Sequence, residues 1–140
     1  IDVRVRRLYS KNSRGLSMCI KQEIGRKGED IACKYLEEND YIIFERNFTC
    51  RQGEIDIIAK DKVTQEIVLI EVKTRQNRLF GTPAEAVVKK KQKHILQVGK
   101  YYLYQRHLEN SLIRLDVIEV YLRRSDFRIN HIKQAFVNNM

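Results

Sequence analysis

Three observations predict an α/β domain in which helices flank a mixed sheet. Two segments carry apolar residues at helical spacing, one from Ile24 to about Asn39 and one from Thr82 to about Arg106. Around them lie short runs rich in Ile, Val, Tyr and Phe, the composition of strands. The order is then α-β-β-β-α-β-β, with the apolar stripe of each helix available to cover a sheet face. At 140 residues the chain is long enough for one such domain with a proper core.

The first helix sets Ile24, Gly28, Ile31, Ala32, Tyr35 and Leu36 on one stripe, with Glu29 at its edge. Glu29 is placed there either as a site acid or as a solvated helix glutamate. Tyr41-Ile42-Ile43-Phe44 is the first strand, and residues 45–51 are expected to bend away from it. Gly53-Glu54-Ile55-Asp56-Ile57-Ile58-Ala59 and Leu69-Ile70-Glu71-Val72-Lys73 are the second and third, joined by the polar residues 61–66. An antiparallel hairpin centred between Val63 and Thr64 would put Asp56 opposite Glu71. Side chains alternate along a strand, so Glu71 and Lys73 leave the same face. Two carboxylates and an ammonium are therefore expected on one sheet face.

Thr82-Pro83-Ala84-Glu85 is a helix start, with Thr as N-cap, Pro at the first position and Glu three residues after the cap. The helix that follows has Ala84, Val87, Val88, Ile95, Val98, Gly99 and Tyr102 on its apolar face. Lys91 falls among them and must snorkel outward or meet an anion. Lys89, Lys90 and Lys93 point elsewhere and read as a phosphate-facing or simply solvated surface. The fourth strand runs from Leu112 to Tyr121, with Asp116 read as a structural partner of Arg114. A short strand, Phe127 to Ile132, closes the domain.

Acidic pairs of this kind suit a hard divalent cation. Magnesium prefers oxygen ligands, takes one or two protein carboxylates, and leaves positions for water and phosphate. Bound metal lowers the pKa of a water and neutralises charge developing on a phosphate, while a lysine at Lys73 can hold the water or the anion. An ion-pair network on an exposed sheet would use the same residue types.

Composition narrows the partners. The net charge of +9 and pI near 9.6 favour a polyanion, with nucleic acid the commonest. Cys19, Cys33 and Cys50 are odd in number and without CxxC spacing, which fits free thiols in a reducing cytoplasm. His94, His107 and His131 are scattered and read as structural or exposed. The absence of a glycine-rich phosphate loop counts against an ATPase, and no apolar run approaches a membrane span. Residues 1–17 hold five Lys/Arg and one acid. They are expected to be a basic extension without fixed structure or of added sequence, leaving 18–140 as a single domain.

With these elements in place, the sequence resembles the YraN-like predicted endonucleases, a bacterial branch of the PD-(D/E)XK nuclease superfamily related to archaeal Holliday-junction resolvases. Gly25-Arg26-Lys27-Gly28-Glu29, Asn47, Gly53-Glu54-Ile55-Asp56, Glu71-Val72-Lys73-Thr74-Arg75, Phe80-Gly81, Lys91-Gln92 and Arg114-Leu115-Asp116-Val117 carry the resemblance, across about residues 22–136. It implies a restriction-endonuclease-like α-β-β-β-α-β core and a cytoplasmic, Mg²⁺-dependent enzyme that also accepts Mn²⁺. It makes Asp56 and Glu71 the metal ligands and Lys73 the catalytic lysine. Glu29 and Lys91 join them in the catalytic set, and Arg75, Lys89, Lys90 and Lys93 become nucleic-acid contacts. Asp40 stands where the family pattern leads one to expect Gly. The function implied is hydrolysis of DNA phosphodiesters, in branched or repair-type structures; the alternative is a nucleic-acid-binding or assembly module that keeps the fold without turnover. Junction cleavage would call for a homodimer, because two symmetric cuts need two sites.

Overall fold

The computed structural model describes residues 13–76 and 89–135. Its elements are α1 (Ser13–Glu38), β1 (Tyr41–Cys50), β2 (Gly53–Asp61), β3 (Ile67–Arg75), α2 (Lys89–Gln105), β4 (Ile113–Leu122) and β5 (Phe127–Ile132). The order is the predicted α-β-β-β-α-β-β, with helices flanking a five-stranded mixed sheet as in restriction-endonuclease-like folds. Strands follow one another in the order β1-β2-β3-β4-β5. Only the β3–β4 pair is parallel, because α2 carries the chain back between them.

Several boundaries differ from the sequence reading. Helix α1 starts at Ser13, upstream of Ile24, since extending a formed helix fixes one residue per hydrogen bond gained. Of the expected extension, residues 1–12 lie outside the described residues, as do the expected helix start Thr82-Pro83-Ala84-Glu85, the Phe80-Gly81 pair, Val87 and Val88, and the side chain of Lys89. Strand β1 continues through the expected bend to Cys50. It does so by a register shift between Ile43 and Glu45, which absorbs Phe44 and lets pairing with β2 resume. Asp61 ends β2 instead of opening the loop; its carboxylate accepts the amides of Val63 and Thr64 and closes the turn. Asp40 takes φ 66°, the left-handed conformation for which Gly would be the default.

A core lies on each sheet face. Under α1, Ala32, Cys33 and Leu36 pack on Tyr41, Ile57, Ala59, Val68, Ile70, Ile118 and Val120. Under α2, Ile95, Val98, Tyr102 and Leu103 pack on Ile55, Ile58, Ile67, Leu69 and Val117. Both helices reach β3 through a glycine. A Cβ on Gly28 would stand 1.9 Å from Thr74 Oγ1, and one on Gly99 would stand 2.3 Å from Leu69 Cδ1. The strand that carries Glu71 and Lys73 is thus held between two helix backbones.

Candidate metal centre and a second acidic cluster

The β2–β3 ladder pairs Ile57 with Ile70, Ile58 with Leu69, Ala59 with Val68 and Lys60 with Ile67. This is the register expected from a turn centred between Val63 and Thr64, and Asp56 and Glu71 lie one position beyond its last pair. There the regular pattern breaks. Ile55 packs on the α2 side and Ile57 on the α1 side, although alternation would put them on the same face. Asn47, across from this point on β1, is left-handed with φ 51°. Val72 does not continue the ladder to Ile55; its N–H donates to Asp56 Oδ2 at 2.8 Å.

The break changes the single face expected for the carboxylates. Alternation from buried Leu69 keeps Glu71 and Lys73 on the α2 side, and Lys73 is paired in register with Glu119 of β4. Asp56, at the break, is reached from both sides. On the α2 side it lines a small cavity of about 50 Å³ with Glu54, Glu71 and Lys91. On the α1 side it lines an open cleft of about 400 Å³ with Lys21, Gly25, Glu29 and Thr74. Glu29 therefore faces the site from the helix, and Arg46 holds its flank, with Nη2 2.6 Å from Asp30 and 4.0 Å from Glu29. Of the two outcomes expected for Lys91, both are seen: its side chain is exposed, and its Nζ lies 2.5 Å from Glu71 Oε1. Lys90 and Lys93 are exposed on α2 and Arg75 is exposed at the end of β3.

Burial pushes the Asp56 carboxyl up to about 6, and the neighbouring charges of Glu71, Glu29 and Glu54 add to the rise. The Val72 amide opposes them and does not win. Such a carboxylate is short of positive charge. Asp56 and Glu71 supply the one or two carboxylates that magnesium requires. Among the described residues no group of three or more His, Cys, Asp or Glu side chains is able to hold a metal. A magnesium ion here would take the rest of its octahedron from water and phosphate, so the donor set fits an ion shared with a substrate.

A second acidic cluster sits toward the other end of the sheet. Arg114 donates to Asp116 Oδ1 at 2.9 Å, to Asp61 Oδ2 at 2.9 Å, to Glu66 Oε1 at 3.0 Å and to the Tyr41 hydroxyl at 2.7 Å. His131 joins Asp116 through Nε2 at 2.7 Å and Tyr35 through Nδ1 at 2.9 Å. Burial raises the cost of ionising Asp61, but Arg114 and the turn amides overcome it and hold its pKa at about 2. Asp116 is lowered as well, with His131 and Arg114 outweighing burial. The structural role read for Asp116 is what the geometry shows. The sequence reading missed Asp61, Glu66 and His131 as its companions, because their meeting depends on strand pairing across the sheet. It also missed Arg46 and Glu54, the latter already visible two residues before Asp56.

Fold and sites together define an α/β protein with a restriction-endonuclease-like arrangement and an undercompensated acidic centre. A sequence model of the uncharacterised protein family UPF0102 matches residues 28–120, and the chain belongs to that family. UPF0102 proteins from Caldicellulosiruptor saccharolyticus and Clostridium beijerinckii are 43% and 46% identical to it over 118 and 119 residues. Those alignments cover 83% and 84% of this chain, and 98% and 95% of the two relatives. A relative from Clostridium botulinum is 47% identical over 118 residues, covering 82% of this chain and 94% of its own. Among the described residues no helix is long and apolar enough to cross a membrane.

Proposed function

We propose that this chain is a magnesium-dependent endonuclease of the PD-(D/E)XK type, cutting DNA phosphodiesters in branched or repair-type structures. The observation that carries the reading is Asp56: a carboxyl raised to about 6 among Glu71, Glu29 and Glu54, at the opening of two cavities. The net charge of +9 supports a polyanionic substrate. Asp56 and Glu71 would hold the magnesium, with Mn²⁺ able to replace it. Bound there, the ion would supply Lewis acidity toward a phosphate oxygen and acidity to a coordinated water.

The chain's own residues have separable tasks. Glu71 is fixed on β3 between the two helix backbones, and the Val72 amide fixes Asp56 relative to it. Lys73, two residues on along the same face, stabilises the negative charge that grows on the phosphoryl oxygens as water attacks phosphorus. The attacking water loses a proton to solvent, and the P–O bond to the leaving sugar breaks as that oxygen takes up a proton from solvent. Glu29 acts on Asp56 from the α1-side cleft, adding to the negative charge that the ion would neutralise. Arg75, Lys90 and Lys93, exposed at the end of β3 and on α2, would contact the flanking backbone phosphates.

The test is cleavage of plasmid, single-stranded, flap and four-way-junction DNA with Mg²⁺ or Mn²⁺, beside Asp56→Asn. Nicked or resolved products that disappear in the variant are expected. Salt-sensitive DNA binding with no metal-dependent product from any substrate would make the chain a binding or assembly module on the same fold.

A further inference from the structure

The ion pair between Lys91 and Glu71 is lopsided. Glu71 is set on the central strand with its side chain 17% exposed, whereas the Lys91 side chain is 53% exposed at the solvent edge of α2. The carboxylate cannot follow its partner, but the ammonium, on a four-carbon stem, can leave. Its Nζ lies against Glu71 Oε1, one of the oxygens expected to hold the metal. An ammonium and a divalent cation repel each other and compete for that oxygen.

We propose that Lys91 is a resident counter-ion of Glu71 which a nucleic-acid phosphate draws away, so that nucleic acid and divalent cation bind cooperatively through this one side chain. The inference rests on the metal-nuclease reading of the same site. Without nucleic acid, Lys91 satisfies Glu71 and weakens its hold on the ion. When a phosphate reaches the mouth of the small α2-side cavity, beside exposed Lys90 and Lys93, Lys91 exchanges the carboxylate for the phosphate and vacates Glu71. Coupling is reciprocal, so the ion must strengthen nucleic-acid binding by the factor that nucleic acid strengthens the ion's. The exchange keeps the ion weakly held until there is something to cut.

The experiment is a Mn²⁺ titration of the full chain, followed by loss of the free-ion paramagnetic resonance signal, with and without a short DNA duplex. Wild type, Lys91→Met, Lys91→Arg and Asp56→Asn are compared; methionine keeps the length and apolar stem of lysine without its charge. Without DNA, Lys91→Met should bind Mn²⁺ about two- to fivefold more tightly than wild type, the upper part of the range of a partly exposed ion pair. The tightening caused by the duplex should shrink in Lys91→Met by a similar factor, and Lys91→Arg should behave as wild type. Equal Mn²⁺ affinity in wild type and Lys91→Met, with binding lost in Asp56→Asn, overturns the exchange while the metal site stands. No Mn²⁺ binding by wild type or Lys91→Met, or binding that survives Asp56→Asn, overturns the metal site and the exchange with it.

Discussion

Strand β2 carries two aspartates, Asp56 and Asp61, separated by about 17 Å at the rise of a β-strand. One is raised to about 6 and the other lowered to about 2. Asp61 is buried and Asp56 half-buried, each among other acids and each pushed upward by desolvation, so acid count and burial alone do not explain the opposite directions. What differs is the resident cation. Arg114, itself 5% exposed, fans its guanidinium into Asp61, Glu66 and Asp116. Asp56 has a backbone amide and three glutamates. The acids around Arg114 share one buried guanidinium, whereas the cations beside Asp56's neighbours, Lys91 on Glu71 and Arg46 near Glu29, are largely exposed and pair with those glutamates, not with Asp56 itself.

Removing Arg114 should have the largest effect on stability. Arg114→Met leaves buried Asp61 and Asp116 without their base, a loss of about 3–5 kcal/mol by denaturant unfolding. Asp116→Asn should cost less, about 2–3 kcal/mol, because it leaves Arg114 with Asp61 and Glu66. Either variant unfolding like wild type would break the comparison.

The same Asp→Asn exchange at Asp56 should act in the opposite direction. Its folded pKa is raised, so the stability attached to the protonated form is present below about pH 4 and is lost as pH rises through about 6. Above pH 6, metal-free Asp56→Asn should therefore be more stable than wild type by about 1–2 kcal/mol, and the gap should close toward pH 4. Asp61 titrates the other way: its contribution is present above about pH 4 and lost as pH falls toward 2. Melting curves across pH 2–8 would separate the two aspartates. Mn²⁺ should raise the melting temperature of wild type and leave Asp56→Asn unmoved, since an ion that binds only the folded state stabilises by mass action.

A smaller effect is expected from Gly28→Ala. The new methyl meets Thr74, and the loss should be about 1–2 kcal/mol after the helix-propensity gain of alanine is counted. Because Glu29 is the next residue, the helix shift should reduce cleavage more than it reduces the melting temperature. Thr74→Ala in the same chain should restore part of both, and no restoration would mean that the contact is not what limits Glu29.

Much of this contrast could be read in the sequence at one end and little at the other. The turn centre between Val63 and Thr64 gave the β2–β3 register, because the polar residues 61–66 between the two apolar runs set the length of the connection, and loop length fixes hairpin register. Arg114 and Asp116, two residues apart on one strand, were legible as a pair. Their partners were not: Tyr41, Asp61, Glu66 and His131 come from separate strands and a turn, and no local periodicity connects them. The break at Asp56 was hidden for a related reason. Strict alternation predicted one face for Asp56, Glu71 and Lys73, whereas the conformation of Asn47 and the Val72–Asp56 bond belong to the assembled sheet. The extra length of β1 was missed because a single absorbed residue, Phe44, reverses the expected face of everything after it.

The two glycines against β3 have a mechanical consequence. Where a helix rests on a strand through interdigitated side chains, repacking any of them moves the helix. At Gly28 and Gly99 the helix backbone itself meets the strand's side chains, so the spacing is set by a contact with little slack. Glu29 and Lys91 hang from those two helices, and the distances between acids and ammonium are gauged from β3 as from a fixed datum. The surrounding core can then drift in size and shape, at Ile95 or Leu36 for example, while the alignment of the charged groups stays in tolerance.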